Sequence, residues 1–245
     1  MLEPLFIKKR NNFYRKLIGS GLEIGAFEHP AKLPENCSVK YCDVITREEA
    51  KLLFPEVNHE DLVNIDYIID LDCGGLERFK DNSQDFIIIN HVIEHIFDPV
   101  HALVECFRVL KPNGLLVLSV PDKRFTFDIH RPLTSIEKIF TRIKRVPKVV
   151  RNDDYLDILE YIAIKDVPIE LRSKFTDKSE KVRNELLNLF MSRKEHLNVW
   201  IDETFQEFVE EVLSKKKIRA DLVYKIDSQE NEFEFFGVWK KLYSS

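Results

Sequence analysis

The sequence predicts an α/β fold of the Rossmann-like kind: a seven-stranded, mostly parallel sheet with helices on both faces, a terminal antiparallel strand pair, and a helical insertion after the fifth strand. Three observations predict it. Apolar, strand-like runs alternate with helical patterns from Leu22 to Pro121, the signature of a parallel sheet built from β-α units. The first run ends Glu23-Ile24-Gly25 and the second ends Cys42-Asp43, about one β-α unit later, which is the layout of a nucleotide-binding sheet. Near the end of the chain, residues 219–226 and 232–240 read as two strands joined by the polar turn Asp227-Ser228-Gln229-Glu230-Asn231. An antiparallel pair there closes a seven-stranded sheet and is not the ending of an ordinary dinucleotide-binding half.

The strands are expected at residues 22–25, 39–44, 67–71, 86–90 and 115–120, followed by the terminal pair. Phe86-Ile87-Ile88-Ile89 is apolar without alternation, as a strand covered on both faces must be. Residues 98–110 carry Val100, Leu103, Val104, Phe107 and Leu110 at helical spacing, and Lys111-Pro112-Asn113-Gly114 stops that helix. Residues 136–194 are highly charged and glycine-free, with helical patterning at 136–143, 155–164 and 180–190; residues 202–214 form a further amphipathic helix. The chain thus divides into a core over 1–135, an insertion over 136–195, and a completion of the same core over 196–245.

The composition, 44% hydrophobic and 32% charged over 245 residues, is that of a globular protein with a sizeable core. A net charge of −5 offers no global positive field for duplex nucleic acid, so no nucleic-acid partner is expected. No run approaches a membrane span, and in Met1-Leu2-Glu3-Pro4-Leu5-Phe6-Ile7-Lys8-Lys9-Arg10 charge follows the apolar residues instead of preceding them, unlike a signal peptide. Cys37, Cys42, Cys73 and Cys106 show neither C-x-x-C pairing nor a disulfide framework, which points to reduced thiols and a cytoplasmic location.

Four places carry candidate chemistry. In Glu23-Ile24-Gly25-Ala26, glycine lets the backbone approach a ligand, although an ordinary strand-to-helix turn would use it equally well. Asp43, followed by Val44, can accept two hydrogen bonds from a ribose diol; the alternative is an exposed loop carboxylate. Of Asp70-Leu71-Asp72-Cys73, Asp72 is expected near an adenine amino group, or capping a helix. The decisive stretch is Asn90-His91-Val92-Ile93-Glu94-His95-Ile96-Phe97-Asp98-Pro99, where polar groups crowd the carboxyl end of a buried strand. His91 and His95 lack the H-E-x-x-H order and no third ligand is evident, so no metal is expected.

This stretch, followed by Arg108-Val109-Leu110-Lys111-Pro112-Asn113-Gly114, resembles the class I S-adenosylmethionine (SAM)-dependent methyltransferases of the methyltransferase-11 type. Asn113 replaces the family's usual first glycine, and the third glycine of a full G-x-G-x-G is missing after Gly25. Val120-Pro121-Asp122-Lys123-Arg124-Phe125-Thr126-Phe127-Asp128, Arg131-Pro132-Leu133-Thr134 and His196-Leu197-Asn198-Val199-Trp200 are similar to a bacterial subgroup associated with surface glycans, polysaccharide biosynthesis and specialised small molecules. The resemblance implies SAM as cofactor. It places Glu23, Gly25 and Ala26 in the first binding turn, Asp43 on the ribose, Asp72 and Cys73 against adenine, and Asn90 and His91 beside the reacting methyl.

For the acceptor, His91, Asp128, His130, Arg131 and His196 are candidates, with His130 or His91 as general base and Arg131 as an anion clamp. Arg131 could instead pair with Asp128, and His196 could pack on Trp200. A small polar acceptor is expected, among them phosphorylated or nucleotide-linked molecules, with the basic run Lys138-Arg142-Lys144-Arg145-Lys148-Arg151 as an attractor or a solvated helix face. The insertion is expected to form a lid or a homodimer surface. The alternative function is a non-catalytic methyltransferase-like partner. A nucleic-acid methyltransferase is disfavoured by the absence of an Asn/Asp-Pro-Pro-aromatic tetrapeptide, and an NAD-dependent oxidoreductase by the incomplete glycine motif.

Overall fold

The computed structural model describes residues 3–55, 57–169 and 171–243. In chain order the elements are α1 (Leu5–Tyr14), β1 (Gly19–Ile24), β2 (Cys37–Asp43), α2 (Arg47–Leu53), β3 (Tyr67–Ile68), β4 (Gln84–Asn90), α3 (Pro99–Val109), β5 (Leu110–Pro121), α4 (Ile136–Arg142), α5 (Leu156–Tyr161), α6 (Arg172–Thr176), α7 (Glu180–Arg193), α8 (Asp202–Lys216), β6 (Ala220–Ile226) and β7 (Glu234–Lys241). Seven strands form one sheet in the order β3-β2-β1-β4-β5-β7-β6. Pairing is parallel from β3 through β5, while β7 runs antiparallel to both β5 and β6. The expected mostly parallel sheet with an antiparallel terminal pair is therefore what forms.

The continuous apolar run of β4 is explained by its two covered faces. Ile87 and Ile89 point to one side with Leu22, Ile24, Leu116 and Leu118, where Val100, Leu103 and Phe107 of α3 and Phe205, Phe208 and Val212 of α8 cover them. Phe86 and Ile88 point to the other with Val117, Phe236 and Val238, under Phe13, Tyr14 and Leu17 from α1 and the residues that follow it. Helix α1 is an addition to the sequence reading, which assigned no element to that segment. Its charged residues mask an apolar stripe narrow enough to be missed.

Local signals fix the element ends. Thr46 and Glu49 form a capping box at α2, and Asp98 caps α3 by accepting the His101 N–H at 2.9 Å, with Pro99 at the first helical position. Lys111-Pro112-Asn113-Gly114 lies within β5, looped out where the β4 register jumps from Gln84↔Leu110 to Phe86↔Leu115, and Asn113 takes a positive φ of 66°. Strand β3 is shorter than the expected 67–71: its pairing ends where the Ile69 N–H bonds to the Asp43 carbonyl at 2.8 Å, and the chain turns from residue 71.

Between β5 and α8, α4 packs Ile139 into the main core, while α5–α7 and the turn before α5 gather a separate cluster of Tyr155, Ile158, Leu186, Leu187 and Phe190 together with Phe97 and Leu197. Arg142 in the basic run is buried and donates to the carbonyls of Ile96 and Phe97 and, at 2.6 Å, to Asn198 Oδ1; Arg145 pairs with Asp154 at 2.7 Å. These two cations are internal cross-links, which leaves the run a weaker attractor than its composition suggests. Among the described residues no helix is long and apolar enough to cross a membrane.

Candidate active site

A cleft of about 640 Å³ opens at the carboxyl ends of β1, β2 and β4. Parallel β-α units leave it there, since each strand's last peptide turns away toward its helix and leaves the sheet's edge of backbone groups open. Residues 23–27, 43–45, 69–71 and 90–92 form its floor, Phe6 and Arg10 of α1 and Phe233 one wall, and residues 192–195 at the end of α7 the other.

Glu23 ends β1 fully buried and accepts the Ala31 N–H on both carboxylate oxygens, at 3.0 and 3.1 Å, which folds the intervening turn over the strand end. Burial pushes its carboxyl up to about 7, against the Ala31 N–H and the Arg10 charge. Gly25 has φ +70°, and a Cβ there would lie 2.2 Å from Val92 Cγ2, so the turn requires glycine on both counts. Asp43 lines the cleft and accepts the Val44 N–H at 2.7 Å; burial raises its carboxyl while the Val44 and Ile45 amides oppose the rise. Asn90 is held at both ends, donating to Tyr14 Oη at 2.9 Å and accepting from Ser119 Oγ at 3.0 Å.

His91, at positive φ, places its ring edge in the cleft. Its Nε2 lies 2.6 Å from Glu234 Oε2, its Nδ1 lies 3.4 Å from Glu94 Oε1, and its face stacks on Phe233. Burial alone would lower its pKa, but the two carboxylates outweigh that and raise it. Glu234 is bound from its other side by Arg10, whose Nε donates to Oε1 at 2.6 Å and whose Nη2 contacts Oε2. Both ring nitrogens of His91 thus face carboxylates, an arrangement that orients the ring more readily than it frees a base.

The remaining expected residues fall elsewhere. Asp72 lies outside the cleft lining and accepts the N–H groups of Phe97 and Asp98, each at 3.0 Å, pinning the start of α3. Cys73 is exposed; Asp70 and Leu71 line the cleft floor where Asp72 and Cys73 were expected, because β3 ends early. Arg131 is fully buried and donates to Asp128 at 2.6 Å, to Asp157 at 3.0 Å and to the His196 carbonyl at 2.9 Å, so it is spent as an internal cross-link and not as an anion clamp. Asp128 also accepts from His196 Nδ1 at 2.6 Å; burial opposes its ionisation, but His196 and Arg131 hold it below the usual carboxylate range. His130 is exposed and outside the cleft lining, which removes the geometric ground for a base there. His196 stacks on Phe127, at a ring separation of 5.0 Å, rather than on Trp200.

Several wall residues went unread: Phe6, Arg10, Phe233, Lys194 and, behind them, Glu234. One signal was available, since a carboxylate inside Glu234-Phe235-Phe236-Gly237-Val238-Trp239 must be buried and therefore paired. Lys194, in the left-handed conformation at the end of α7, donates to Asp70 Oδ2 at 3.0 Å and ties the end of α7 to the segment after β3.

Comparison with known proteins agrees with this geometry. A family model described as a methyltransferase domain matches residues 22–118. A protein of Mycolicibacterium smegmatis named as a probable S-adenosylmethionine-dependent methyltransferase is 37% identical over 76 residues, 30% of this chain and 29% of that one. A similarly named protein of Mycobacterium tuberculosis is 42% identical over 62 residues, 25% of this chain and 22% of its own length. The chain thus matches less than a third of the length of these relatives. Among solved structures, a candidate Zn-dependent alcohol dehydrogenase from Rhodobacter sphaeroides superposes with a TM-score of 0.52 at 12% identity, covering 96% of this chain and 90% of the other, a likeness of fold.

Proposed function

We propose that the protein is a class I SAM-dependent methyltransferase, which binds SAM in this cleft and transfers its methyl group to oxygen or nitrogen of a small polar acceptor: a sugar, a surface-glycan precursor or a phosphorylated metabolite; the match of residues 22–118 to a methyltransferase-domain model supports the reading. One observation carries the reading. The Glu23–Gly25 turn, Asp43 and the Asn90-His91 pair, distant in sequence, share one cleft at the ends of three adjacent parallel strands. In this reading Gly25 and Ala26 bring backbone against the cofactor, Glu23 holds the turn, Asp43 accepts the ribose hydroxyls, and Asp70 and Leu71 lie toward adenine. Asn90 and His91 stand near the sulfonium. Methyl transfer is an in-line displacement, so holding acceptor, methyl carbon and sulfur aligned supplies much of the rate. The acceptor class is supported by the resemblance of residues 120–134 and 196–200 to glycan-pathway methyltransferases, and by a wall that mixes Phe6 and Phe233 with charged side chains. We take 136–195 as an insertion into a single core, its end closing one side of the site.

Calorimetric titration with SAM and S-adenosylhomocysteine tests this first. Micromolar binding of both is expected, followed by methyl transfer when sugars, phosphosugars and small amines are screened. Asp43→Ala should weaken SAM by about 1–3 kcal/mol, the range for losing hydrogen bonds to a charged group. Absence of binding to well-folded protein would remove the reading and leave a non-catalytic partner.

A further inference from the structure

Glu94 poses a chemical problem that the cofactor site does not solve. Its side chain is fully buried, and among the described residues neither carboxylate oxygen receives a hydrogen bond. His91 Nδ1 at 3.4 Å offers it an ion pair and His95 Nε2 stands at 3.9 Å, but neither completes a hydrogen bond to it, and His91 is already held at 2.6 Å by Glu234. Buried carboxylates are ordinarily hydrogen-bonded or ligated as well as charge-paired, so a carboxylate held by neighbouring imidazoles without a hydrogen bond has room for a further ligand.

Beside it stand two imidazoles prepared in the same way. His95 Nδ1 meets the carbonyl oxygen of Lys194, which can only accept, so the proton sits on Nδ1 and Nε2 keeps its lone pair. His196 Nδ1 meets Asp128 Oδ2 at 2.6 Å, which fixes the same tautomer there. Asp128 is itself held by Arg131 at 2.6 Å. A carboxylate or carbonyl on the far nitrogen is the outer arrangement by which proteins orient metal-bound histidines.

The backbone holds these pieces in register across about a hundred residues of chain. The Glu94 carbonyl accepts the N–H groups of Leu197 and Asn198, each at 2.9 Å, and Asn198 Nδ2 donates to the Ile96 carbonyl at 2.9 Å. One ligand atom from each of Glu94, His95 and His196 then lies within 4.8 Å of the others, close enough for a single ion to be held among them. The sequence offered no third ligand because His196 arrives only through this fold.

We propose that Glu94, His95 and His196 form a site for a divalent transition-metal ion of the zinc type, with Asp128 and Arg131 as its outer support. Two imidazoles favour such an ion over magnesium or calcium, and three protein ligands leave a position open. His95 also lines the cleft, which puts the site beside that cavity; a bound ion would there supply Lewis-acid chemistry to an acceptor oxygen, a role that, unlike the site itself, rests on the methyl-transfer reading.

Untagged protein stripped with a chelator is titrated with Zn²⁺ against a chromophoric competitor, without SAM, and with Co²⁺ as a spectroscopic probe. One tight equivalent and a Co²⁺ ligand-field spectrum are expected. Glu94→Gln and His196→Ala should each abolish the equivalent, and the near-isosteric Asp128→Asn should weaken it about 10–100-fold. His130→Ala, on the surface, should leave it unchanged. Circular dichroism checks the fold of each variant, and Asp128→Asn carries the test if a ligand variant does not fold. No tight equivalent in the wild-type protein, or one that survives with unchanged affinity in the folded variants, overturns the proposal. Since no SAM is present, failure of SAM binding leaves this result untouched.

Discussion

Glu23 shows how one side chain ties the shape of the cleft to stability. Its folded-state carboxyl titrates at about 7 because burial disfavours the charge, against an ordinary value of 4.5. The folded protein therefore holds the proton more tightly than the unfolded chain. Stability from this group is fully present below pH 4.5, falls as pH rises, and above 7 the deficit is on the order of 3 kcal/mol. In Glu23→Gln, which retains an acceptor for the Ala31 N–H, the fall in urea midpoint between pH 5 and 7.5 should flatten; an unchanged slope would assign the pH dependence to other groups. At this scale the sequence was legible where a polar residue ends a strand whose position is certain. Asp43 and Asn90 line the cleft as their strand ends require. Asp72 does not, because the choice between two aspartates depends on where β3 stops, and two residues of strand give no pattern to count from.

At the scale of elements, α1 is the piece composition concealed. It lays Phe13 and Tyr14 on the sheet face opposite α3 and α8, and through Arg10 it reaches the cleft wall. Arg10 and Glu234 are 5% and 0% exposed, so the pair is shielded from solvent and its partners depend on each other. Removing one member of a buried pair strands the other. Arg10→Ala should therefore lower unfolding free energy by about 3–5 kcal/mol in urea. Combined with Glu234→Ala, the loss should be smaller than the sum of the two single losses, because the double variant leaves no uncompensated charge on that pair. Strict additivity would mean that His91, the other neighbour of Glu234, already balances it. Elsewhere the elements followed their local signals. Helices α3 and α8 announced themselves by apolar spacing. The Lys111–Gly114 segment read as a helix stop but serves as a looped-out part of β5, since a turn sequence alone does not reveal that pairing resumes on both sides of it.

Across the whole molecule, the sheet was readable because its strands are local and its order follows from the β-α repeat and the terminal pair. The cleft and its surroundings were readable only in part because they join residues far apart in the chain: Arg10 with Glu234, Asp70 with Lys194, Glu94 with His196. Such contacts are made by the fold, and no spacing rule reaches over so many residues. The same feature closes the cleft between the strand ends and the end of α7, with Arg193 over the Phe54 ring at 4.8 Å and Lys194 on Asp70. A ligand filling it contacts elements from both, and anything binding only the folded state stabilises that state by mass action. S-adenosylhomocysteine at a hundred times its Kd should thus add about 2.7 kcal/mol, or roughly 5–10 °C in Tm for a chain of this size. Amide exchange should slow both along β2 and at the end of α7. Slowing confined to β2 would mean that the insertion stands aside from the occupied site, and that acceptor, not cofactor, draws it in.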